Sequence, residues 1–430
     1  IDKVIIDTTN RLADAYMPDN NSKYNMTLNF DHTLYQYSDW KNYELKYRPD
    51  IWWNNYDGTK IGFNLNGGYM RHHHLFDVNL WFNSAILQKD SIINPNNYDY
   101  YSYRLDYNTN IDQISLHTRL KIKTQFLAGL HTNKISIIKK DRKGKNKLTV
   151  DLLSFYRTNN GYLSNSSWEL NKMNNRIDVN LERKYNYKYG EGKINIKLQA
   201  SALASAYDYN KIIVSINNKN KLDKLKISSR TYMQIGSGNN WAEESKLYLA
   251  GANTEEMMSS KFTRAEGIVP ADYMRYDYNT NNFHTGGGLN LRGYAGYLAP
   301  KFNKDSTISS YDFNGTSGAA INTEINFTNY LPNSIRKTNI TSYLFADAGI
   351  INTKKINNEN FSDVFLDIFE DMRVDAGIGF TYSFKNIFRP LEKVKPLVIR
   401  FDLPLFLNRP PASDEDFIQM RWIIGIKRAL

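Results

Sequence analysis

Val374-Asp375-Ala376-Gly377-Ile378-Gly379-Phe380-Thr381-Tyr382-Ser383-Phe384 alternates an apolar side chain with a small or polar one at almost every step. On an extended strand successive side chains point to opposite faces, so this stretch has one oily wall and one wet wall. The two segments that follow repeat the pattern. Leu397, Ile399, Phe401, Leu403 and Leu405 alternate with Val398, Arg400, Asp402 and Pro404. Ile418, Met420, Trp422, Ile424 and Ile426 alternate with Gln419, Arg421, Ile423, Gly425 and Lys427. Working back toward the N-terminus, the same period of two recurs at Leu225–Ile235, Ile194–Ala202, Ile177–Leu181, Leu148–Tyr156, Ile114–Phe126, Phe76–Phe82 and Tyr24–Leu34.

A soluble β-sandwich also alternates, with its oily faces turned inward. Three features favour a membrane instead. The segments run to about nine residues or more, the length that crosses a bilayer at a tilt. Connections alternate short and long, as the two ends of a transmembrane barrel do: 236–316 is very long, 332–339 short, 352–371 long, 385–394 moderate and 407–416 longer again. The wet faces mix Arg, Lys, Asp and Glu, as a water-filled lumen requires. The pattern therefore predicts an all-β fold, a transmembrane antiparallel β-barrel of roughly 16 strands over residues 24–430. Residues 1–23 show no strand of matching length and are expected to be a linker from an upstream region.

Composition agrees with such a barrel. The mean hydropathy of −0.58 and 41% hydrophobic content follow if lipid-facing and lumenal residues alternate. Aromatics reach 14%, with 31 Tyr, as interfacial girdles demand. There is no Cys, which excludes thiolate metal sites and a Cys nucleophile. The net charge is +11, but Lys and Arg are spread along alternating strand positions instead of forming one stripe, so nucleic acid is not an expected partner.

The 236–316 connection is too long for an idle loop. Within it lies Gly286-Gly287-Gly288-Leu289-Asn290-Leu291-Arg292-Gly293-Tyr294. A glycine run can cradle phosphate, but only ahead of a helix N-terminus, and the following Ala295-Gly296-Tyr297-Leu298-Ala299-Pro300 offers none. Further on stands Phe345-Ala346-Asp347-Ala348-Gly349. Parity puts Leu344, Ala346, Ala348 and Ile350 on the lipid side, which leaves Tyr343, Phe345, Asp347 and Gly349 facing the lumen; on the strand before, Asn322, Glu324 and Asn326 face inward.

Gly286-Gly287, four residues, then Arg292-Gly293-Tyr294, followed by Phe-x-Asp-x-Gly two strands later, resembles the motif pair of the BamA/TamA/FhaC superfamily of outer-membrane insertases and translocators. The resemblance spans about 282–430. It implies that the loop folds back into the barrel and that Arg292 pairs with Asp347, flanked by Phe345 and Gly349. Glu324 is similar to the family's lumenal acid. It also implies a bacterial outer-membrane location and a role in protein insertion or translocation. The partners it implies are outer-membrane lipid, unfolded outer-membrane or secreted proteins, and periplasmic assembly factors. Members of that family carry periplasmic POTRA domains ahead of the barrel, and 23 residues cannot hold one. Arg48-Pro49-Asp50-Ile51-Trp52-Trp53-Asn54-Asn55-Tyr56-Asp57-Gly58 is similar to the start of barrels fused behind aminopeptidase-N-like zinc metallopeptidases. The alternative role it implies is a passive pore, anchor or export barrel for such a domain.

No catalytic motif is recognisable, His-Glu-x-x-His included, so neither enzymatic activity nor a cofactor is expected of the chain itself. His72-His73-His74 could suggest a metal, but neighbours on an extended chain diverge, and a turn between strands is expected there. Phe361, Val364, Phe365, Ile368 and Phe369 have helical spacing and suggest a short amphipathic helix in a loop.

Overall fold

The computed structural model describes residues 4–6, 9, 16–22, 25–32, 38–70, 72–89, 98–163, 167–303, 305, 307–352, 371–384, 397–412, 416–426 and 429–430. The expected loop helix at Phe361–Phe369 lies outside these residues.

The chain is almost entirely β. The short β1 (Met26–Phe30) precedes eleven long strands: β2 (Tyr43–Asn54), β3 (Gly58–Tyr69), β4 (His73–Asn83), β5 (Tyr101–Asn110), β6 (Thr118–Leu127), β7 (Leu130–Lys140), β8 (Asn146–Arg157), β9 (Met173–Tyr187), β10 (Gly190–Ser201), β11 (Asp208–Leu222) and β12 (Leu225–Asn240). The long connection holds only short elements, among them β13 (Leu247–Tyr248), α1 (Thr254–Met257), β14 (Pro300–Phe302), β15 (Ile308–Tyr311) and β16 (Asn314–Gly315). β17 (Ser317–Asn326), β18 (Ile340–Asn352), β19 (Arg373–Ser383), β20 (Val398–Leu407) and β21 (Ile423–Ile426) complete the sheet.

One sheet of 17 strands contains β1 to β12 and β17 to β21. From β2 to β21 every neighbour is antiparallel and adjacent in sequence order, which leaves sixteen antiparallel strands once β1 is set apart. β1 runs parallel to β2, from Met26↔Tyr43 to Phe30↔Tyr47.

Burial is inverted relative to a soluble protein. Ile51, Phe82, Tyr101, Ile321 and Leu344 are exposed. Asn64, Asp347, Asp375 and Asp402 are completely buried, alongside Arg176 and Arg400. Apolar side chains on the outer face and charged ones within are stable only where the outside is lipid and the inside holds water and polar partners. A β-sandwich, which would bury the Leu, Ile and Phe rows, is excluded.

The sheet curls around the long connection. On one flank Phe262 packs edge-on against Trp52 of β2, with centroids 5.7 Å apart, and Asn55 N donates to Glu266 O at 2.9 Å. In the middle Arg157 of β8 reaches Met258 Sδ at 3.2 Å. On the far flank Ile424 N of β21 donates to Asn282 O at 2.8 Å, and His284 N donates to Ile424 O at 3.0 Å. Both edges of the sheet thus meet the same loop, yet among the described residues no ladder joins β1 or β2 to β21.

Four local expectations need correcting. Tyr24–Leu34 does not form one spanning strand, because among its described residues only Met26–Phe30 is extended and it lies parallel at the edge. Ile418–Ile426 contains a strand only at Ile423–Ile426, although parity survives, with Ile423 buried and Ile418 and Met420 exposed. Ile114 and Leu116 precede β6 and belong to the turn before it, closed by Ile114 N to Ile111 O at 3.0 Å. The turn near the histidines ends sooner than expected: His73 and His74 open β4, and His74 Nδ1 lies 2.7 Å from Tyr107 Oη. Loop lengths also alternate less regularly than expected, since β2 and β3 are joined by 55–57 alone and β6 and β7 by 128–129, at the end that carries the long loops.

Candidate functional site: the arginine of the infolded loop

The site begins with the glycine run. Gly288 has a φ of 49°, and a Cβ there would sit 2.4 Å from Tyr248 O and 2.5 Å from Gly251 O. A side chain would therefore collide with backbone, and only glycine lets the loop close on itself here. Leu289 and Leu291 then bury completely, joining Leu247, Leu249 and Ala320 in an apolar cluster under the loop. That anchor directs the intervening polar residues and Arg292 at the wall.

Four adjacent strands each present one inward acid: Glu324 on β17, Asp347 on β18, Asp375 on β19 and Asp402 on β20. Arg292, with 0% exposure, enters among them. Its Nε lies 2.7 Å from Asp347 Oδ2 and its Nη2 donates to Asp347 Oδ1 at 3.3 Å, a two-pronged contact. Nη1 donates to Glu324 Oε1 at 2.9 Å and lies 3.9 Å from Asp402 Oδ1. The guanidinium carbon sits 4.3 Å from the centroid of the Phe345 ring. A planar guanidinium supplies donors in a fixed fork, which suits carboxylates on two sides and an aromatic face beneath it. Lysine could not reproduce this.

The rest of the motif closes around the pair. Gly293 lies so close to β19 that a Cβ would fall 2.7 Å from Asp375 Cβ. Tyr294 Oη donates to Asn408 Oδ1 at 2.9 Å and accepts from Arg409 N at 3.2 Å. Gly349 backs onto Leu291, with a Cβ position 3.2 Å from Leu291 Cδ2. Gly286 and Gly287 stand farther back: Gly287 lies against Ala252 and Glu256, and Gly286 against Ala429. The structure therefore brings Arg292, Gly293, Phe345, Asp347, Gly349 and Glu324 together. Tyr294 sits one strand over, and Gly286 and Gly287 act at a distance through the backbone.

Several members were not anticipated. Asn322 Nδ2 donates to Leu289 O, Asn290 O and Asp347 Oδ1, each at 3.2 Å, and so ties the loop backbone to the acid. Arg230 of β12 donates to Asn322 Oδ1 at 3.0 Å and to Gly288 O at 2.7 Å. Tyr343 Oη donates to Asp402 Oδ1 at 2.5 Å, and Arg400 Nε lies 2.6 Å from Asp402 Oδ2. Arg400 Nη2 also donates to His284 O at 3.2 Å, linking this cluster to the loop segment beside β21. Parity already placed Arg400, Asp402 and Asp375 on the wet face. Their convergence depends on register between strands.

A second tether fixes the start of the loop. Arg176 of β9 grips Glu255 of α1, with Nη1 2.5 Å from Oε2, and Asn174 Nδ2 donates to Glu244 Oε1 at 2.7 Å. Burial pushes the Glu244 carboxyl up to about 7. Among the described residues no group of His, Asp and Glu is placed to hold a metal ion.

An antiparallel, inside-out sheet wrapped around a loop that is bolted to its wall defines a transmembrane β-barrel with an occupied lumen. Among solved structures, the chain is similar to BamA from Haemophilus ducreyi lacking POTRA domains 1-3, with a TM-score of 0.46 and 11% identity over 89% of this chain and 70% of that one. It is also similar to CdiB from Acinetobacter baumannii, with a TM-score of 0.42 and 12% identity over 88% of this chain and 58% of that one. A third, Pseudomonas aeruginosa OccK9 (OpdG), has a TM-score of 0.37 and 10% identity over 86% and 93% of the two chains. No protein-family model and no curated protein matches the chain.

Proposed function

We propose that this chain is a bacterial outer-membrane barrel of the BamA/TamA/FhaC kind, and that it inserts or translocates polypeptide through the seam between β2 and β21. One observation carries the reading. Among the described residues the sixteen antiparallel strands stop without pairing first to last, and each edge is occupied by a short parallel segment of the same chain. β1 lies along β2, and Phe283 bridges in parallel to Ile424. An unpaired strand edge in lipid is costly, because its N–H and C=O groups find no water. A segment held by a handful of bonds satisfies those groups provisionally and can yield to an incoming strand, which would gain a longer ladder. The lock at Arg292 and Asp347 holds the loop that supplies one of the two covers.

The partners on this reading are lipid on the outer face and an extended, unfolded polypeptide at the seam. The chain itself is assigned no reaction and no cofactor. The test is reconstitution of the chain in lipid vesicles with an unfolded outer-membrane protein added. Accelerated insertion that depends on a mobile seam supports the reading. Ion conductance with no effect on any protein substrate would replace it with a passive pore or an anchor for an attached domain.

A further inference from the structure

On the outer face of β7 to β9 the apolar band stops at one level. On β7 Ile135 and Ile137 face outward and Lys139 follows them. On β8 Val150 and Leu148 give way to Asn146, and on β9 Val179 and Leu181 give way to Arg183. Ladder register sets these positions side by side. Lys139 pairs with Leu148, Leu148 with Leu181 and Leu181 with Ile196, while Arg183 pairs with both Asn146 and Ile194. Both cations therefore stand at the edge of the apolar band, at the end of the short turns, which is periplasmic in outer-membrane barrels.

A groove of about 550 Å³ opens at this level, with Leu148, Leu181, Ile194 and Ile196 as its floor and Lys139 and Arg183 at its rim. Both cations are exposed, and neither makes an ion pair among the described residues; the neighbouring pairs, Lys134 with Asp151 and Lys193 with Glu182, lie on the lumenal face. Two carboxylates border the groove. Glu182 points to the lumen, 3.7 Å from Lys193 Nζ, on the face it shares with Lys140 and Lys147. Asp141 closes the turn between β7 and β8, accepting from Asn146 Nδ2 at 2.8 Å. Arg142, Lys143 and Lys145 of the same turn are all exposed and outnumber it.

The two halves of this groove ask for different chemistry. A soluble anion would satisfy the cations and leave the apolar floor bare, whereas a plain hydrocarbon chain would cover the floor and leave two charges facing lipid. We propose that the groove is a binding site for an anionic phospholipid of the periplasmic leaflet. Lys139 and Arg183 hold the charged headgroup, as long cationic side chains do at a membrane interface, and one acyl chain lies along Leu148, Leu181, Ile194 and Ile196. None of these residues belongs to the seam or to the infolded loop, so failure here leaves the insertion reading untouched.

The experiment uses the full chain refolded into phosphatidylcholine vesicles. A small fluorophore is attached at Val150→Cys, on the outer face two residues beyond Leu148, or at Ile321→Cys on the outer face of β17. At equal low mole fraction, brominated phosphatidylglycerol should quench the Val150 probe at least about fivefold more effectively than brominated phosphatidylcholine, the factor that a single interfacial cation implies. The Ile321 probe should show no such preference, and Lys139→Gln combined with Arg183→Gln should abolish it at Val150. Inorganic phosphate, exchanged for chloride at equal ionic strength, should leave it intact. Equal quenching by the two lipids at Val150, or a preference of the same size at Ile321, overturns the proposal. So does a preference that the double variant retains, or one that phosphate removes, which would assign the cations to a soluble oxyanion. If the double variant fails to refold, the comparison of the two probes in otherwise native chains still decides.

Discussion

Asp347 of β18 and Asp375 of β19 are direct cross-strand partners on the lumenal face, both fully buried, and Arg292 of the loop reaches only the first of them. The two carboxylates therefore share a neighbourhood in which one guanidinium already serves Asp347 and Glu324. Removing that guanidinium strands two buried acids at once, and breaking one buried ion pair costs about 3–5 kcal/mol. Arg292→Ala should release the loop. In a semi-native gel its folded band should convert at a lower temperature than wild type, and protease should cut within 241–316. Arg292→Lys keeps the charge and loses the fork, so its transition should fall between the two. An Arg292→Ala protein as heat-resistant and protease-resistant as wild type would show that the pair does not hold the loop.

Asp375 has neither carboxylate oxygen hydrogen-bonded among the described residues, and its cross-strand partner is another acid. Asp375→Asn keeps the shape and removes the like charge. Folded stability in urea should stay level or rise, opposite to the effect at Arg292. Gly293→Ala offers the steric counterpart. Its Cβ would lie 2.7 Å from Asp375 Cβ, close to the backbone where little can give, and overpacking of that kind costs about 1–3 kcal/mol. The urea midpoint should fall for Gly293→Ala and should not fall for Asp375→Asn. A shared fall would mean that Asp375 is needed in its charged form.

Glu244 makes the loop's first tether sensitive to pH. Its folded carboxyl sits at about 7, against 4.5 for a free one, because burial outweighs the bond from Asn174. Below pH 4.5 the group is protonated whether the tether is closed or open. Between there and about 7 the open form gives up its proton first, which favours opening as pH rises. Residues 242–246 should therefore exchange amide hydrogens more slowly at pH 5 than at pH 8, after correction for intrinsic rates. Glu244→Gln should flatten that difference. A pH difference of equal size in the Gln variant would place its origin in another group.

What could be read from residues alone follows from which interactions are local. The period of two survives any tertiary context, so the faces of β17 to β20 could be assigned, and with them the inward positions of Glu324, Phe345, Asp347 and Asp402. The pairing of Arg292 with Asp347 came from a motif resemblance, and geometry alone could not have supplied it. Register is different, because it is fixed between chains of residues far apart in sequence. Asn322, Arg230 and Arg400 could be placed on a wet face but not joined to the loop. Tyr24–Leu34 misled for a related reason: its alternation suits any strand, and nothing local distinguishes a spanning strand from a five-residue parallel cover at an edge.

That cover and its counterpart at β21 can be tested directly, because the chain has no native cysteine to interfere. Leu28 and Leu45 are register partners across β1 and β2, and Phe283 bridges to Ile424 at the other edge. The double variants Leu28→Cys/Leu45→Cys and Phe283→Cys/Ile424→Cys should each form a disulfide under oxidation, since paired strands bring Cα atoms to within bridging range. If the covers must leave for an incoming strand to pair, oxidation should suppress insertion of a test polypeptide in vesicles, and reduction should restore it. The two locks should act separately, because β1 hangs on β2 whereas the Phe283 segment hangs on the loop held by Arg292. Arg292→Ala should then mimic the reduced Phe283–Ile424 variant and leave the β1 lock fully inhibitory. Oxidised proteins that insert substrate as fast as reduced ones would show that neither edge takes part.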